Sequence, residues 1–289
     1  MFIDPNGSAI RQGGSRMKVA VTGARGRLAP HVAAAFFGPQ NAVRSFSRQP
    51  GGGYLSYDDL GQPDVLIHCA WSSVPLTAEE DPSRTEREDL PLIRQLIHQV
   101  PRALFVFLSS GAVYGNTGPS PADESSPLNP LGAYARGKIA AETLVREATH
   151  GHCLILRATN LLGEVMDPNK PQGVLPRLIH AAKTGAPFSL WGDGSTVKDY
   201  LHVSDCVAAI RHLVNRKECG VFNVGSGRSI SLLELIALIQ NLSGRTIATH
   251  HLPHYSWDVS HSHISVAKLA QTGWLPQVEM AEAVRRGLA

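Results

Sequence analysis

The chain reads KVAVTGARGRLA over residues 18–29, and this stretch decides the fold. Residues 18–22 form an apolar run of the length of a short buried strand, and Gly23 follows it directly. The apolar spacing of residues 28–37 is typical of a helix. The stretch therefore predicts a strand, a tight glycine-containing turn and a helix, which is the opening unit of an α/β domain.

Apolar runs and helical patterns alternate through the rest of the first half of the chain. We predict strands over 42–47, 65–70, 104–108 and 153–156, and helices over 89–100 and 134–148. Strands without a polar face are typical of a parallel sheet that is covered by helices on both sides. The predicted fold class is α/β, with a doubly wound parallel-sheet Rossmann domain.

The pattern changes after residue 163. We predict a loop over 167–173, a strand over 187–191, and helices over 175–184, 229–242, 266–273 and 279–288. Ser231 is expected to cap one of these helices, because Glu234 stands three residues later in a capping-box spacing. The second half therefore predicts a smaller, helix-rich C-terminal region.

The same patterns suggest a division of the chain into parts. Residues 1–16 are polar and rich in glycine, and we expect a disordered N-terminal extension there. We assign residues 17–163, with 200–224 returning to them, to the Rossmann domain. Residues 164–199 and 225–289 form the second region.

Composition and charge narrow the function classes. Hydrophobic residues make up 43% and charged residues 18% of the chain, and the formal net charge is +3. No apolar run approaches the roughly 20 residues that span a bilayer, and no dense basic block predicts nucleic-acid binding. The four cysteines are widely spaced, so we expect a reduced, cytoplasmic protein without a membrane or nucleic-acid partner.

Histidines cluster near the C-terminus, at positions 250, 251, 254, 261 and 263. Zinc hydrolases place two histidines at i and i+4 on a helix with a glutamate beside the first. This cluster lacks that pattern and reads as a loop, so we predict no metal site.

The glycine-containing turn predicts phosphate binding. Gly23 and Gly26 allow the backbone to turn sharply and to approach a pyrophosphate, and the helix after Leu28 offers unpaired N–H groups. Ala29 takes the third glycine position, where the helix packs on the sheet. Arg25 and Arg27 lie inside the same turn. An ordinary βα turn is the alternative, because this motif alone is weakly specific.

A serine, a tyrosine and a lysine form the second motif. Ser110 follows an apolar strand, and Tyr134 and Lys138 stand four residues apart, on one face of a helix. A phenol has a pKa near 10, and an adjacent ammonium favours its ionised form. We therefore expect Lys138 to lower the pKa of Tyr134 for acid–base work. The alternative is a packed tyrosine beside a solvated lysine.

With these motifs the chain resembles the extended short-chain dehydrogenase/reductases of the NAD-dependent epimerase/dehydratase family, and within it the UDP-glucose 4-epimerase-like enzymes. The resemblance runs from Lys18 to about Gly287. It is carried by the Tyr134/Lys138 pair and by the segments SSGAVYG (109–115), LRATNLLG (156–163), WGDGSTVKDY (191–200) and VFNVGSG (221–227).

The resemblance implies roles for particular residues. Tyr134 would be the acid/base, Lys138 would tune it and hold the nicotinamide ribose, and Ser110 would bind the reacting oxygen. The cofactor site would also include Ala70 and Trp71. Three further residues would contact a nucleotide-sugar substrate: Asn160, Lys198 and Asp258. The resemblance also implies a homodimer that pairs through the helices beginning near Asp89 and Tyr134.

Some residues depart from the family pattern. Arg is usual at the position of Lys198, and a second expected Arg is absent at Tyr255, Ser256 and Trp257. Lysine binds phosphate as a point charge, with less geometric control than the arginine fork. Diphosphate binding would then be arranged differently, for example with Arg177 or His254. Asp89 stands where the family has Asn.

The choice of cofactor, NAD or NADP, depends on the end of the second strand. NAD enzymes place an acidic residue there against the ribose 2′-hydroxyl. This chain has Arg48, which suits a 2′-phosphate, with Arg25 as a possible second clamp. Alternatively, Arg48 stacks on adenine or faces solvent. Asp59 is a candidate adenine contact.

Several functions remain open at this level. The resemblance favours 4-epimerisation of a nucleotide sugar, with NAD held throughout. The alternative is an NADPH-dependent reductase of nucleotide 4-keto-6-deoxysugars, which Arg48 and the short segment before residue 65 favour. A dehydratase would need acidic residues at 111–112, where Gly and Ala stand. A non-catalytic dinucleotide sensor and a reductase of small ketones are further alternatives.

Overall fold

The computed structural model describes residues 16–48, 56–163 and 173–289. The expected N-terminal extension lies outside the described residues except for Arg16, and the expected loop over 167–173 does so except for Gly173. No helix in these three ranges is long and apolar enough to cross a membrane.

A six-stranded sheet forms the centre of the molecule. Its strands are β1 (Met17–Thr22), β2 (Asn41–Phe46), β3 (Val65–His68), β4 (Leu104–Ser110), β5 (Cys153–Ala158) and β9 (Gly220–Val224). All of them are parallel, and they lie in the order β2-β1-β3-β4-β5-β9. Residues in β3, β4 and β5 are almost all buried, as expected of strands covered on both faces.

Helices cover both faces of this sheet. One face packs against α1 (Ala29–Phe36) and α6 (Val203–Asn215), with Phe36 and Ile210 fully buried. The other face packs against α3 (Leu90–Gln99) and α4 (Ala133–Ala148). The short helix α2 (Pro75–Glu80) and a π-helical turn (Thr85–Asp89) lead into α3. This arrangement confirms the predicted doubly wound α/β class.

The second region combines helices with two small sheets. Its helices are α5 (Val174–Thr184), α7 (Leu232–Ser243), α8 (Ala267–Gln271) and α9 (Met280–Leu288). The strand β8 (Val197–His202) pairs with β6 (Asn160–Leu162), β10 (Ser229–Ser231) and β12 (His261–Ser262). A second pair joins β7 (Phe188–Trp191) to β11 (Thr249–Leu252). A separate core lies between α5, α7 and α9.

Most predicted elements agree with the structure, but several boundaries differ. The strand predicted over 65–70 ends at His68, because its partner β1 ends at Thr22, where Gly23 turns the chain away. In contrast, β4 runs on to Ser110, because it stays paired with β5 to the end. Residues 229–231 are a strand rather than the start of a helix. The capping box at Ser231 is confirmed.

The fold concentrates polar residues at one edge of the main sheet. Parallel strands bring their carboxyl ends together, and these ends are where α/β folds bind ligands. Thr22 and His68 meet there, with 2.8 Å between Thr22 Oγ1 and His68 Nδ1. Ser110 stands at the end of the next strand, β4. The candidate site is therefore at this edge.

Candidate active site

The glycine turn packs tightly against the end of β3. Gly23 has a φ of +77°, and a Cβ at this position would lie 2.7 Å from the backbone nitrogen of Ala70. Only glycine satisfies both the left-handed backbone and this close approach. Leu28 is the N-cap of α1, so the turn leads directly to free N–H groups at the start of a helix. The arrangement is a cradle suited to a pyrophosphate.

Tyr57 also belongs to this turn, although no sequence motif predicted it. Its buried hydroxyl accepts a hydrogen bond of 3.2 Å from the Gly23 nitrogen. Asp59, the predicted adenine contact, lies 3.8 Å from Arg44 and accepts a bond from the Gly61 nitrogen. The contact of Tyr57 joins residues 34 positions apart, so no local pattern could reveal it.

Arg48 is engaged with carboxylates. Its Nη1 lies 2.6 Å from Oε2 of Glu88, and its Nη2 lies 3.8 Å from Oδ1 of Asp89. Asp89 is almost fully buried and accepts hydrogen bonds from the backbone nitrogen and the hydroxyl of Ser72. The expected position of Arg48 after β2 is correct, but acidic residues from the turn before α3 surround its guanidinium.

Ser110, Tyr134 and Lys138 come together at the ends of β4 and α4. The Ser110 hydroxyl accepts a bond of 3.2 Å from the Ala112 nitrogen, and it lies close enough to Tyr134 to lower the pKa of that phenol. Lys138 lies one helical turn from Tyr134, and its Nζ donates a bond of 2.8 Å to the Leu108 carbonyl. The ammonium lies 5.7 Å from the centre of the Tyr134 ring.

The expected lowering of the Tyr134 pKa by Lys138 is wrong in this structure. Burial raises the pKa of Tyr134 to about 12, against a smaller lowering by the Ser110 hydrogen bond. Burial also lowers the pKa of Lys138 to about 7, against the attraction of Asp89. Desolvation is the largest cause of both pKa shifts. Tyr134 therefore keeps its proton at neutral pH and is set to donate it.

A buried polar network holds this pair of elements together. Arg157 of β5 makes an ion pair of 2.7 Å with Glu142 of α4, and both side chains are almost fully buried. The Ser109 hydroxyl donates to Glu142, and Arg157 donates a bond of 2.9 Å to the Tyr114 hydroxyl. Tyr114 donates in turn to Asn223 of β9. The network spans three strands and the helix that carries Tyr134.

Two features of the sequence could have predicted this network. Glu142 stands four residues after Lys138, so it lies on the same face of α4. Arg157 interrupts the otherwise apolar strand β5. A charge inside a buried strand needs a partner, and Glu142 is a suitable one on the helix that covers the sheet.

Of the predicted substrate residues, Lys198 and Asp258 lie on the second region, and Asn160 lies on β6, which pairs with β8 of that region. Lys198 of β8 makes an ion pair of 2.8 Å with Asp258, so two of these residues are brought together. Asn160 is exposed at the start of β6 and donates a bond of 3.0 Å to the Asp199 carbonyl. Arg177 lies over the rings of Phe188 and Trp191, at 5.4 and 5.1 Å.

A row of stacked aromatic rings replaces the expected second arginine. The rings of Tyr255 and Trp257 lie 4.7 Å apart, and Tyr255 also stacks on Trp191 at 6.2 Å. His254 packs beside Gly192. Trp257 approaches Gly132, the N-cap of α4. The row therefore runs from β7 to the helix that carries Tyr134.

The glycine cradle and the Ser110–Tyr134–Lys138 cluster at one sheet edge define a dinucleotide-dependent enzyme with a Rossmann fold. A family model described as the NAD dependent epimerase/dehydratase family matches residues 19–225. The chain belongs to this family, as the sequence resemblance predicted.

Individual relatives support the same grouping. The chain is 28% identical to a UDP-glucose 4-epimerase of Mycolicibacterium smegmatis, over 78% of this chain and 75% of the relative. It is 30% identical to a bifunctional UDP-glucose 4-epimerase and UDP-xylose 4-epimerase of Pisum sativum, over 77% of this chain and 71% of the relative. A putative UDP-glucose 4-epimerase of Methanocaldococcus jannaschii is 31% identical, over 63% of this chain and 60% of the relative.

A solved structure shares the fold. The NAD complex of the Thermus thermophilus UDP-glucose 4-epimerase superimposes with a TM-score of 0.84 at 23% identity, over 94% of this chain and 98% of the other.

We predict that the Glu142–Arg157 pair is essential for stability. Glu142→Ala leaves the Arg157 charge buried without its partner, which costs about 3–5 kcal/mol in comparable proteins. Urea unfolding should show a loss of this size. Glu147→Ala, an exposed change on the same helix, is the control and should stay within about 0.5 kcal/mol. A loss below about 1 kcal/mol for Glu142→Ala would contradict the prediction.

Proposed function

We propose that the protein is a nucleotide-sugar 4-epimerase that acts on UDP-hexose-type substrates with NAD as cofactor. The observation that carries this proposal is the convergence of Ser110, Tyr134 and Lys138 beside the glycine cradle. The relatives named as UDP-glucose 4-epimerases support the substrate class.

The residues present fit a dinucleotide. The cradle at Gly23 leaves no room for a side chain, and the start of α1 offers N–H groups to phosphate. Gly26, Arg25, Arg27 and Leu28 continue the same turn. Lys138 would hold the nicotinamide ribose, and Ala70 and Trp71 would also line the cofactor site. When bound, NAD would accept a hydride from carbon 4 and return it to the other face.

Tyr134 handles the proton in this proposal. The Tyr134 hydroxyl would donate to the oxygen on carbon 4 as the hydride returns, and would take the proton back in the oxidation step. Ser110 would hold that oxygen, because its hydroxyl lies near Tyr134 at the end of β4. For the oxidation step we propose that the Lys138 ammonium, 5.7 Å from the centre of the Tyr134 ring, offsets part of the cost of forming the phenolate. The raised pKa of Tyr134 makes this support by Lys138 necessary.

In this proposal the two parts of the chain bind different ligands. Residues 17–163 with 200–224 would hold the dinucleotide, since α6 and β9 pack with the main sheet. Residues 164–199 and 225–289 would hold the nucleotide sugar. The Lys198–Asp258 pair and Asn160 would contact the nucleotide or its phosphates, and Lys198 would then exchange Asp258 for phosphate.

NAD is favoured over NADP because of the groups around Arg48. A 2′-phosphate at this position would bring its charge close to the carboxylates of Glu88 and Asp89. Like charges at such distances repel. Arg48 is therefore better suited to a ribose hydroxyl or to the adenine face than to a phosphate.

We predict that the protein binds NAD more tightly than NADP, and that Glu88→Gln narrows the difference. Removing one carboxylate should tighten NADP binding about tenfold, as measured by isothermal titration calorimetry. Glu86→Gln, an exposed change on the same turn, should leave both affinities unchanged. Preference for NADP by the unaltered protein would overturn the assignment.

The decisive experiment is turnover without added cofactor. We expect the purified protein to interconvert UDP-glucose and UDP-galactose, or another pair of 4-epimeric UDP-sugars, when the products are separated by chromatography. Tyr134→Phe should slow turnover by about 10²–10⁴-fold, because a positioned acid–base group contributes this much. Its content of bound NAD should stay the same.

Each alternative gives a different result in this experiment. Activity only with NADPH and a nucleotide 4-keto-6-deoxysugar would indicate that the protein is a ketoreductase and not an epimerase. Turnover of small ketones alone would show that the substrate is not a nucleotide sugar. Tightly bound NAD with no turnover of any substrate, and an unchanged cellular role in Tyr134→Phe, would indicate a dinucleotide sensor.

We infer a homodimer in a reducing, cytoplasmic setting. The helices α3 and α4 pack side by side, which fits the paired helices that the family resemblance implies. All four cysteines are free thiols, as expected in a reducing compartment. Light scattering should give twice the chain mass, and a thiol titration in denaturant should find every cysteine reduced. A monomer or an oxidised cysteine would contradict the corresponding inference.

A further inference from the structure

Trp71 makes a close aromatic contact with the proposed catalytic residues. It stands three residues after the end of β3, and the centre of its ring lies 3.7 Å from Nζ of Lys138. Its ring also meets the ring of Tyr134 edge-on, with centres 6.4 Å apart and planes at 82°. One side chain therefore touches both ends of the Tyr134/Lys138 pair.

Lys138 needs stabilising contacts because it is only 4% exposed. Its Nζ donates to the Leu108 carbonyl. The carboxylates that attract it are on Asp89, in the turn before α3, and on Glu142 of its own helix. The thiol of Cys69 and the ring of His68 face it from the end of β3. Burial keeps both of these groups neutral, because it raises the pKa of Cys69 to about 12 and lowers that of His68 to about 3.

An indole face attracts a cation through the ring quadrupole, and the attraction is strongest where water is excluded. Tryptophan is the best of the aromatic side chains in this respect. Phe107 also faces the ammonium, but its ring centre is 5.0 Å from Nζ. The contact with Trp71 is therefore the stronger of these two.

We propose that Trp71 is a positioning residue of the hydride-transfer site, whose indole face holds the Lys138 ammonium while its edge contact fixes the ring of Tyr134. This role rests on the proposed function. Trp71 acts through Lys138 and Tyr134, so it sets their geometry and charge without exchanging a proton itself.

The sign of the effect on Lys138 follows from the contact. A cation–π contact stabilises the charged form of lysine and therefore raises its pKa. Loss of the indole should lower the pKa of Lys138 below its value of about 7. The fraction of charged Lys138 should then fall at neutral pH. Any activity that needs the ammonium should fall first at the high end of its pH range.

The test is an NMR titration of Lys138 in the full-length protein labelled with ¹³C at the lysine ε-carbon. The resonance is identified by its loss in Lys138→Met. We expect Trp71→Leu to move the titration midpoint down by about one pH unit. Trp71→Phe, which keeps a weaker aromatic face, should move it by less than half as much. Trp274→Phe removes a tryptophan from the core on the other sheet face and should leave the midpoint unchanged.

This measurement needs neither substrate nor turnover, so its outcome is independent of the epimerase proposal. A midpoint that stays or rises in Trp71→Leu would overturn the role, since it would mean that the indole acts only by excluding water. Equal shifts in Trp71→Phe and Trp71→Leu would also overturn it. If an activity is established, the high-pH limb of kcat/KM should move down with the midpoint in Trp71→Leu, and Trp71→Phe should restore most of it.

Discussion

The buried ion pair between Glu142 and Arg157 is the constraint on which the site depends. It joins the middle of α4 to β5, and through Ser109 it also reaches β4. Tyr134 lies on the first of these elements and Ser110 ends the last. A buried ion pair requires close geometry, because an unpaired charge in this interior is costly. The pair therefore fixes how α4 lies against the sheet, and with it the distance from Tyr134 to Ser110.

Burial also controls the protonation of the site residues. The same interior that holds the ion pair raises the pKa of Tyr134 and lowers that of Lys138. Each group is thereby pushed toward its neutral form, so charge must be supplied where chemistry needs it. Asp89 and the face of Trp71 provide this support to Lys138. The site thus combines poor solvation with a few well-placed partners, an arrangement that suits proton transfer at neutral pH.

Much of this architecture could be predicted from the sequence, because its signals are local. Strand, turn and helix follow one another within residues 18–36, and Tyr134 and Lys138 are one turn apart on a single helix. The contacts that were missed join distant residues: Tyr57 to the glycine turn, and Arg48 to Glu88. Periodicity carries no information about such pairs. The lowering of the Tyr134 pKa was wrong for a related reason, since spacing shows proximity but says nothing about desolvation.

Within the described residues, two connections between the main sheet with its helices and the small sheet around β8 are very short. Thr159 alone separates β5 from β6, and β8 runs into α6 between His202 and Val203 without a break. A swinging motion of one part on the other would have to tear strand pairing or unwind a helix end. We therefore expect the two parts to keep a fixed relative position. Ligand binding would then rearrange side chains, as proposed at Lys198, without the hinge motion of other enzymes. The range of sugars that the proposed enzyme accepts would then depend on those side chains.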